Sequence, residues 1–181
     1  IQDAGLTADP EELTNYEIGM KSDWLGGRLR LNVAAYWMDY EDMQFSSPQL
    51  LDTDGDNIPD SQGSLLTRNA AASTIKGIET ELSYLVGDRG LLQITANWLD
   101  AKFDEFLSVD GQYGPDNPWN PRASGPLGDE GFVDLSGNRL IRAPEYEITI
   151  AYQHEIVTPF GSLTPRAKVS FVDDTFLDEF N

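Results

Sequence analysis

Asp52, Asp54, Asp56 and Asp60 are the residues of this sequence whose spacing most suits joint chemistry. They occupy the first, third, fifth and ninth places of the stretch DTDGDNIPD. Carboxylates on alternate residues of a tight turn can converge on one hard cation, and Ca²⁺ takes six to eight oxygen ligands. With the backbone carbonyl of Ile58 they form a candidate Ca²⁺ set. Gly63 stands where a twelve-residue calcium loop would carry its bidentate acid. The expected affinity is therefore weak, of the order of 10⁻⁴–10⁻³ M, as in extracellular modules. Four like charges this close repel one another, and Arg68 is the only basic residue between 44 and 74. Either a divalent ion neutralises the stretch or it is an acidic tip screened by water.

A second candidate is the aromatic set Tyr113, Trp119 and Phe132, set among Gly and Pro in a long connecting stretch. Such rings either stack on a sugar or an aromatic ligand or pin the connection to itself and its neighbours. Other chemistries are poorly served. The 181 residues contain no cysteine and one histidine, His154. That removes disulfides, thiolate zinc sites and a Cys nucleophile, and no Ser or Asp is spaced to make a triad with His154. The net charge of −19 argues against nucleic acid, whose binders need basic patches. Most of that charge falls at the two ends and in residues 44–74 and 104–144. No enzymatic activity is expected, and no phosphate-cradling glycine motif occurs.

The elements that must position these residues are strands. In RLRLNVAAYWM, Leu29, Leu31, Val33, Ala35 and Trp37 share one face, and Arg28, Arg30, Asn32, Ala34 and Tyr36 the other. A period of two with β-branched and aromatic residues marks a strand. The same alternation runs through Tyr16–Met20, Ile78–Tyr84, Leu92–Trp98, Tyr146–Tyr152 and Leu163–Phe171. His154 follows the phase of Ile148, Ile150 and Tyr152, which places it at an interface. Glu17, Lys21, Arg30, Glu79, Glu81, Glu147, Arg166 and Lys168 fall on polar faces, whereas the apolar faces carry only Lys76, at a strand end.

The links alternate in length. Short, Gly/Asp/Pro-bearing ones lie near 22–28, 87–90 and 157–161, and long ones near 44–74 and 104–144. Soluble domains seldom hold structureless loops beyond ~15 residues, but membrane barrels join short periplasmic turns to long outer loops. A strand of ~12 residues at ~3.3 Å each, tilted by ~45°, also crosses roughly a bilayer core. No apolar run is long enough for a transmembrane helix. The fold expected is all-β, an antiparallel up-and-down transmembrane barrel segment of about six strands. Trp24, Tyr16, Trp37, Trp98, Tyr146 and Tyr152 lie near the ends of the apolar faces, where headgroups favour amphipathic rings. Inside, Glu17, Glu79, Glu81, Arg166 and Lys168 are either hydrated wall residues or partners for something that fills the barrel.

Three motifs carry a family resemblance. Pro10–Gln44 contains a Pro-Glu lead, NYEIGMK, a short turn and a hydrophobic strand ending DYEDMQ. Ile75–Leu82 reads IKGIETEL, and Leu135–Pro144 reads LSGNRLIRAP. In this order they resemble the barrel of TonB-dependent outer-membrane receptors. The resemblance implies a 22-stranded barrel closed by an N-terminal plug. It also implies the outer membrane of a Gram-negative bacterium, surrounding lipid, and uptake of a scarce small ligand (siderophore, cobalamin, glycan or similar) energised by the TonB system through the plug segment. Ile1 stands in place of an initiator Met and the final residue is Asn181 rather than an aromatic. This chain is therefore expected to be part of the barrel's C-terminal half, residues 1–181 without the plug. The Asp52–Asp60 stretch separately resembles thrombospondin type 3 calcium repeats. A passive porin is less consistent with the motifs. The alternative from another class is a secreted soluble β-protein that binds calcium and carbohydrate.

Overall fold

The computed structural model describes residues 8–51, 61–108 and 133–180. All regular elements among them are strands: β1 (Glu12–Trp24), β2 (Leu29–Leu51), β3 (Ser61–Val86), β4 (Gly90–Ser108), β5 (Val133–Asp134), β6 (Tyr146–His154), β7 (Ile156–Thr158), β8 (Gly161–Leu163) and β9 (Arg166–Val172). The main sheet runs β1-β2-β3-β4-β6-β9, with β5 added beside β4 and β7-β8 forming a separate two-stranded hairpin. Every pairing is antiparallel and the six long strands follow chain order, which is the up-and-down topology expected. Both edge strands, β1 and β9, lack a neighbour on one side among the described residues. Open edges are not viable in lipid, so in a membrane both edges must be paired by further strands.

The short turns form where the sequence indicates. Leu25, Gly26 and Gly27 all take positive φ between β1 and β2, a conformation that glycine enters without steric cost. The third link differs from the expected simple turn. Pro165 interrupts the run Leu163–Phe171, and the chain makes β7 and β8 before β9 begins at Arg166. Proline has no N–H to donate to a ladder; here its carbonyl accepts from the His154 amide at 3.2 Å.

The two long links are much shorter than residues 44–74 and 104–144. Residues 44–51 and 61–74 continue β2 and β3, pairing as far as Leu51 with Ser61. Residues 104–108 continue β4, and Val133 and Asp134 pair with it. Asn138 and Leu140 then lie along β4, their carbonyl and amide bonded to Phe103 and Ala101. Alternation hides this extension because the ladder slips between Tyr40 and Met43, between Met43 and Gln44, between Pro48 and Leu50, and between Ala72 and Ser73. Each bulge inserts a residue and reverses the phase. Asp42, at φ 54°, marks the first. Its carbonyl accepts from Asn69 Nδ2 at 2.5 Å, and the Asn69 and Gln44 side chains both donate to the Asp9 carbonyl. The segment before β1 is thereby laced onto the bulge.

Candidate functional site

The register builds two faces of opposite chemistry. Across one face run the rows Met20–Val33–Thr80–Ala96–Ile148–Phe171 and Ser22–Leu31–Leu82–Ile94–Ile150–Val169. Across the other run Lys21–Asn32–Glu81–Thr95–Thr149–Ser170 and Gly19–Ala34–Glu79–Asn97–Glu147–Val172. A soluble protein buries the first kind of face and exposes the second. Here the order is inverted: along β6, Tyr146, Ile148, Ile150 and Tyr152 are exposed, while Glu147, Thr149, Ala151 and Gln153 are shielded. Ile18 and Val169 are 77% and 72% exposed. Residues this apolar, in a band against which no described residue packs, are matched to hydrocarbon rather than to water.

Aromatic rings border the band. Trp24, Tyr84 and Tyr152 lie in or beside the row at the short-turn end, and Tyr16, Trp37, Trp98 and Tyr146 at the other. Tyr84 completes a belt that the sequence reading left sparse. The Trp24 indole donates to Ser22 at 2.9 Å and that of Trp37 to Asp39 at 2.6 Å. The Tyr152 hydroxyl meets His154 Nδ1 at 3.1 Å, so His154 sits at the belt, as its phase indicated. Lys76, in register with Asp100 at the end of the apolar phase, rests 4.4 Å from the centre of the Trp37 ring. A cation over an indole face at the headgroup level keeps its charge in a polar layer and its stem in an apolar one.

The polar face holds a cavity of about 570 Å³ lined by Glu17, Lys21, Asn32, Glu79, Glu81 and Asn97 among others. The structure thus brings Glu17, Glu79 and Glu81 together. Arg166 and Lys168 lie on β9, away from that cavity, opposite Gln153 and Ala151. Asn32 donates to Glu81 at 3.3 Å. Tyr36 also faces this side, opposite Gly77, and a Cβ at Gly77 would lie 2.3 Å from the Tyr36 ring. The K-G-x-E motif therefore has a physical reading. Lys76 caps Trp37 on one face, Gly77 makes room for Tyr36 on the other, and Glu79 lines the cavity.

Beyond the upper belt the chemistry reverts to that of a protein in water. Phe103 and Phe106 are 2% and 1% exposed, packed with Ala71, Leu135 and the partly buried Phe45 and Phe180. Phe103 and Phe106 have ring centres 4.7 Å apart, and Phe45 lies 4.4 Å from Phe106. Sequence periodicity missed this cluster because the bulges fall beside it. The G-N-x-L motif holds its lid: Gly137, at φ 87°, donates to Phe103 O at 2.7 Å, and the Asn138 side chain donates to Glu179 O at 3.0 Å. Ser136 donates from its amide to Asp134 Oδ1 at 2.9 Å. Hydrogen bonds from the Ser136 hydroxyl and amide hold the Asp134 carboxyl below its ordinary range.

Asp52, Asp54, Asp56, Ile58 and Asp60 lie outside the described residues, as do Tyr113, Trp119 and Phe132.

A wall with an apolar, aromatic-bordered outer face and a polar inner one is the object that comparison with known proteins also finds. The TonB dependent receptor-like β-barrel family model matches residues 3–179. The chain belongs to this family. Its barrel strands are thus segments of a TonB-dependent receptor wall. A ferric-pyoverdine 358 receptor from Pseudomonas putida is 34% identical over 79 residues, which is 44% of this chain and 9% of that receptor. The ferric yersiniabactin uptake receptor FyuA from Yersinia pestis has the same fold, with a TM-score of 0.59 at 19% identity over 93% of this chain and 20% of that one. The chain therefore spans a small part of the length of the relatives it matches.

Proposed function

We propose that this chain is part of the barrel of an outer-membrane receptor that takes up a ferric siderophore in a TonB-dependent manner. The observation that carries the reading is the inverted wall, with Ile148, Ile150 and Val169 turned to lipid and Glu79, Glu81 and Asn97 turned inward, on a chain of this family. Likeness to the ferric-pyoverdine receptor supports a ferric siderophore as the ligand class. The same reading places the receptor in a Gram-negative outer membrane, with lipid around it and the TonB system as its energy source. Membership of a receptor family supports a role in uptake rather than in catalysis. The secreted, soluble alternative is disfavoured by the wide uncovered apolar band.

The test is uptake of radiolabelled ferric siderophores, pyoverdines first, by cells producing the full-length receptor, with and without TonB. Accumulation that requires both proteins is expected. Equal accumulation in cells lacking the receptor would overturn the reading.

We further propose that Asp52, Asp54, Asp56 and Asp60, with the Ile58 carbonyl, bind Ca²⁺ weakly. Support comes from their spacing and from the pairing of Leu51 with Ser61, the residues that flank the acidic stretch. Calorimetric titration of the intact receptor should give a binding heat, with Kd of the order of 10⁻⁴–10⁻³ M, that an Asp54→Ala, Asp56→Ala double variant lacks. Identical heats would reduce the stretch to a solvated acidic tip.

A further inference from the structure

The β2–β3 hairpin leaves the sheet at the first bulge. β1 pairs with β2 no further than Glu12 with Glu41, and β4 pairs with β3 no further than Phe106 with Ala71. From Gln44 and Asn69 to Leu51 and Ser61, the two strands pair only with each other among the described residues. A two-stranded ribbon has little stability of its own, so whatever fixes its root fixes its direction. At that root the ladder is interrupted. Asp42 has no register partner on β1 or β3, and its φ of 54° turns the chain there. A bulge of this kind bends its strand and leaves the inserted residue unpaired.

Residues 8–11 supply bonds where the ladder lacks them. The segment reaches past β2 to β3. The Asp9 amide donates to Asn69 Oδ1 at 2.7 Å. Asn69 Nδ2 donates back to the Asp9 carbonyl at 2.9 Å and also to that of Asp42. Gln44 Nε2 donates to the Asp9 carbonyl at 3.0 Å. Glu11 uses both carboxylate oxygens: Oε1 accepts from the Gln44 amide at 2.8 Å and Oε2 from the Tyr40 hydroxyl at 2.9 Å. These bonds bracket the bulge from Tyr40 to Gln44. They also hold Gln44 and Asn69, the pair from which the hairpin starts. Glu12 and Glu41 stand opposite each other where the β1 ladder ends. Like charges across a ladder weaken it, so the hydrogen bonds of residues 8–11 carry the junction.

We infer that residues 8–11 are a latch on the projecting β2–β3 hairpin. While Glu11 holds Gln44 and Asp9 holds Asn69, the hairpin keeps one angle to the wall. Withdrawal of the segment frees it to swing about Asp42. Phe45 packs against Phe106 just past the bulge, which keeps the pivot in place and leaves the strands beyond it free. The chain that enters β1 thereby controls the hairpin whose ends flank the acidic stretch, and the wall need not change. The inference holds whatever ligand the receptor takes up.

The test uses the full-length receptor in phosphatidylethanolamine/phosphatidylglycerol vesicles. Asn69→Ala removes three of these hydrogen bonds and Glu11→Ala two. In the double variant the amides of residues 45–51 and 61–68 should exchange about tenfold faster or more, with those of 101–108 unchanged. Spin labels at Leu65→Cys and Ile150→Cys, on a cysteine-free background, should give one narrow distance distribution with the latch intact and a broad one in the double variant. A pair at Ile78→Cys and Ile150→Cys, within the wall, should keep its width in both. Faster exchange confined to residues 40–44 and 69, or a Leu65–Ile150 distribution of the same width in both proteins, would overturn the latch. Broadening of the wall pair would also overturn it, because the segment would then be holding the wall itself.

Discussion

The membrane-spanning part of the sheet and its projecting part share strands but bury opposite side chains. Between the aromatic belts, Ile148, Ile150 and Val169 are exposed and the shielded side chains of β6 are Glu147, Thr149, Ala151 and Gln153. A few residues further along β3 and β4, Phe103, Phe106 and Ala71 are buried together. The backbone geometry is the same in both regions. What differs is the solvent: hydrocarbon around the band gives apolar groups no reason to hide, whereas water above the belt drives them inward. A hydrophobic core is thus a property of the surroundings as much as of the sequence, and one sheet carries both solutions.

Removing the projecting core is the strongest way to break this contrast. Phe106→Ala deletes a ring that is 1% exposed, and such truncations cost about 3–5 kcal/mol. Hydrogen exchange should show that loss in the amides of residues 101–108 and 133–140, with the band left protected. Uniform deprotection from belt to tip would mean that the two regions do not differ as described.

A charge within the band tests the other side. Ile150→Arg places a guanidinium near the middle of the lipid face, at a cost of about 2–4 kcal/mol. Thr149→Arg, one residue away on the shielded face, should cost much less. Equilibrium unfolding of the full-length receptor in vesicles measures both. Equal losses would contradict the assignment of faces.

The smallest effect sharpens the link between faces. Gly77→Val puts a side chain where the Tyr36 ring already lies, and overpacking of this kind costs about 1–3 kcal/mol. A Tyr36→Ala change in the same chain should recover part of that loss. Failure to recover any would show that Tyr36 is not what Gly77 accommodates.

Legibility in the sequence followed this division. The six strands, the two faces of each and the position of His154 came from period-two alternation, which is strict where lipid bounds one side. The wall residues Glu17, Glu79 and Glu81 were legible for the same reason, since a charge on the other phase would meet hydrocarbon. The projecting strands at 44–51, 61–74 and 104–108 read as loops. Pro48 and Gly63 have turn-like character, and each bulge reverses the phase that periodicity relies on.

By itself, the sequence determined the strand class, the antiparallel wall and its family, because these depend on local alternation and on short motifs. Only the tertiary structure decided where the apolar residues are hidden. The aromatic cluster joins Phe45, Phe103, Phe106, Leu135 and Phe180, which stand far apart in the chain. It also decided that Tyr36 covers Gly77 and that Lys76 caps Trp37. Those contacts run between strands, and their partners are set by register and bulges, which no single segment encodes.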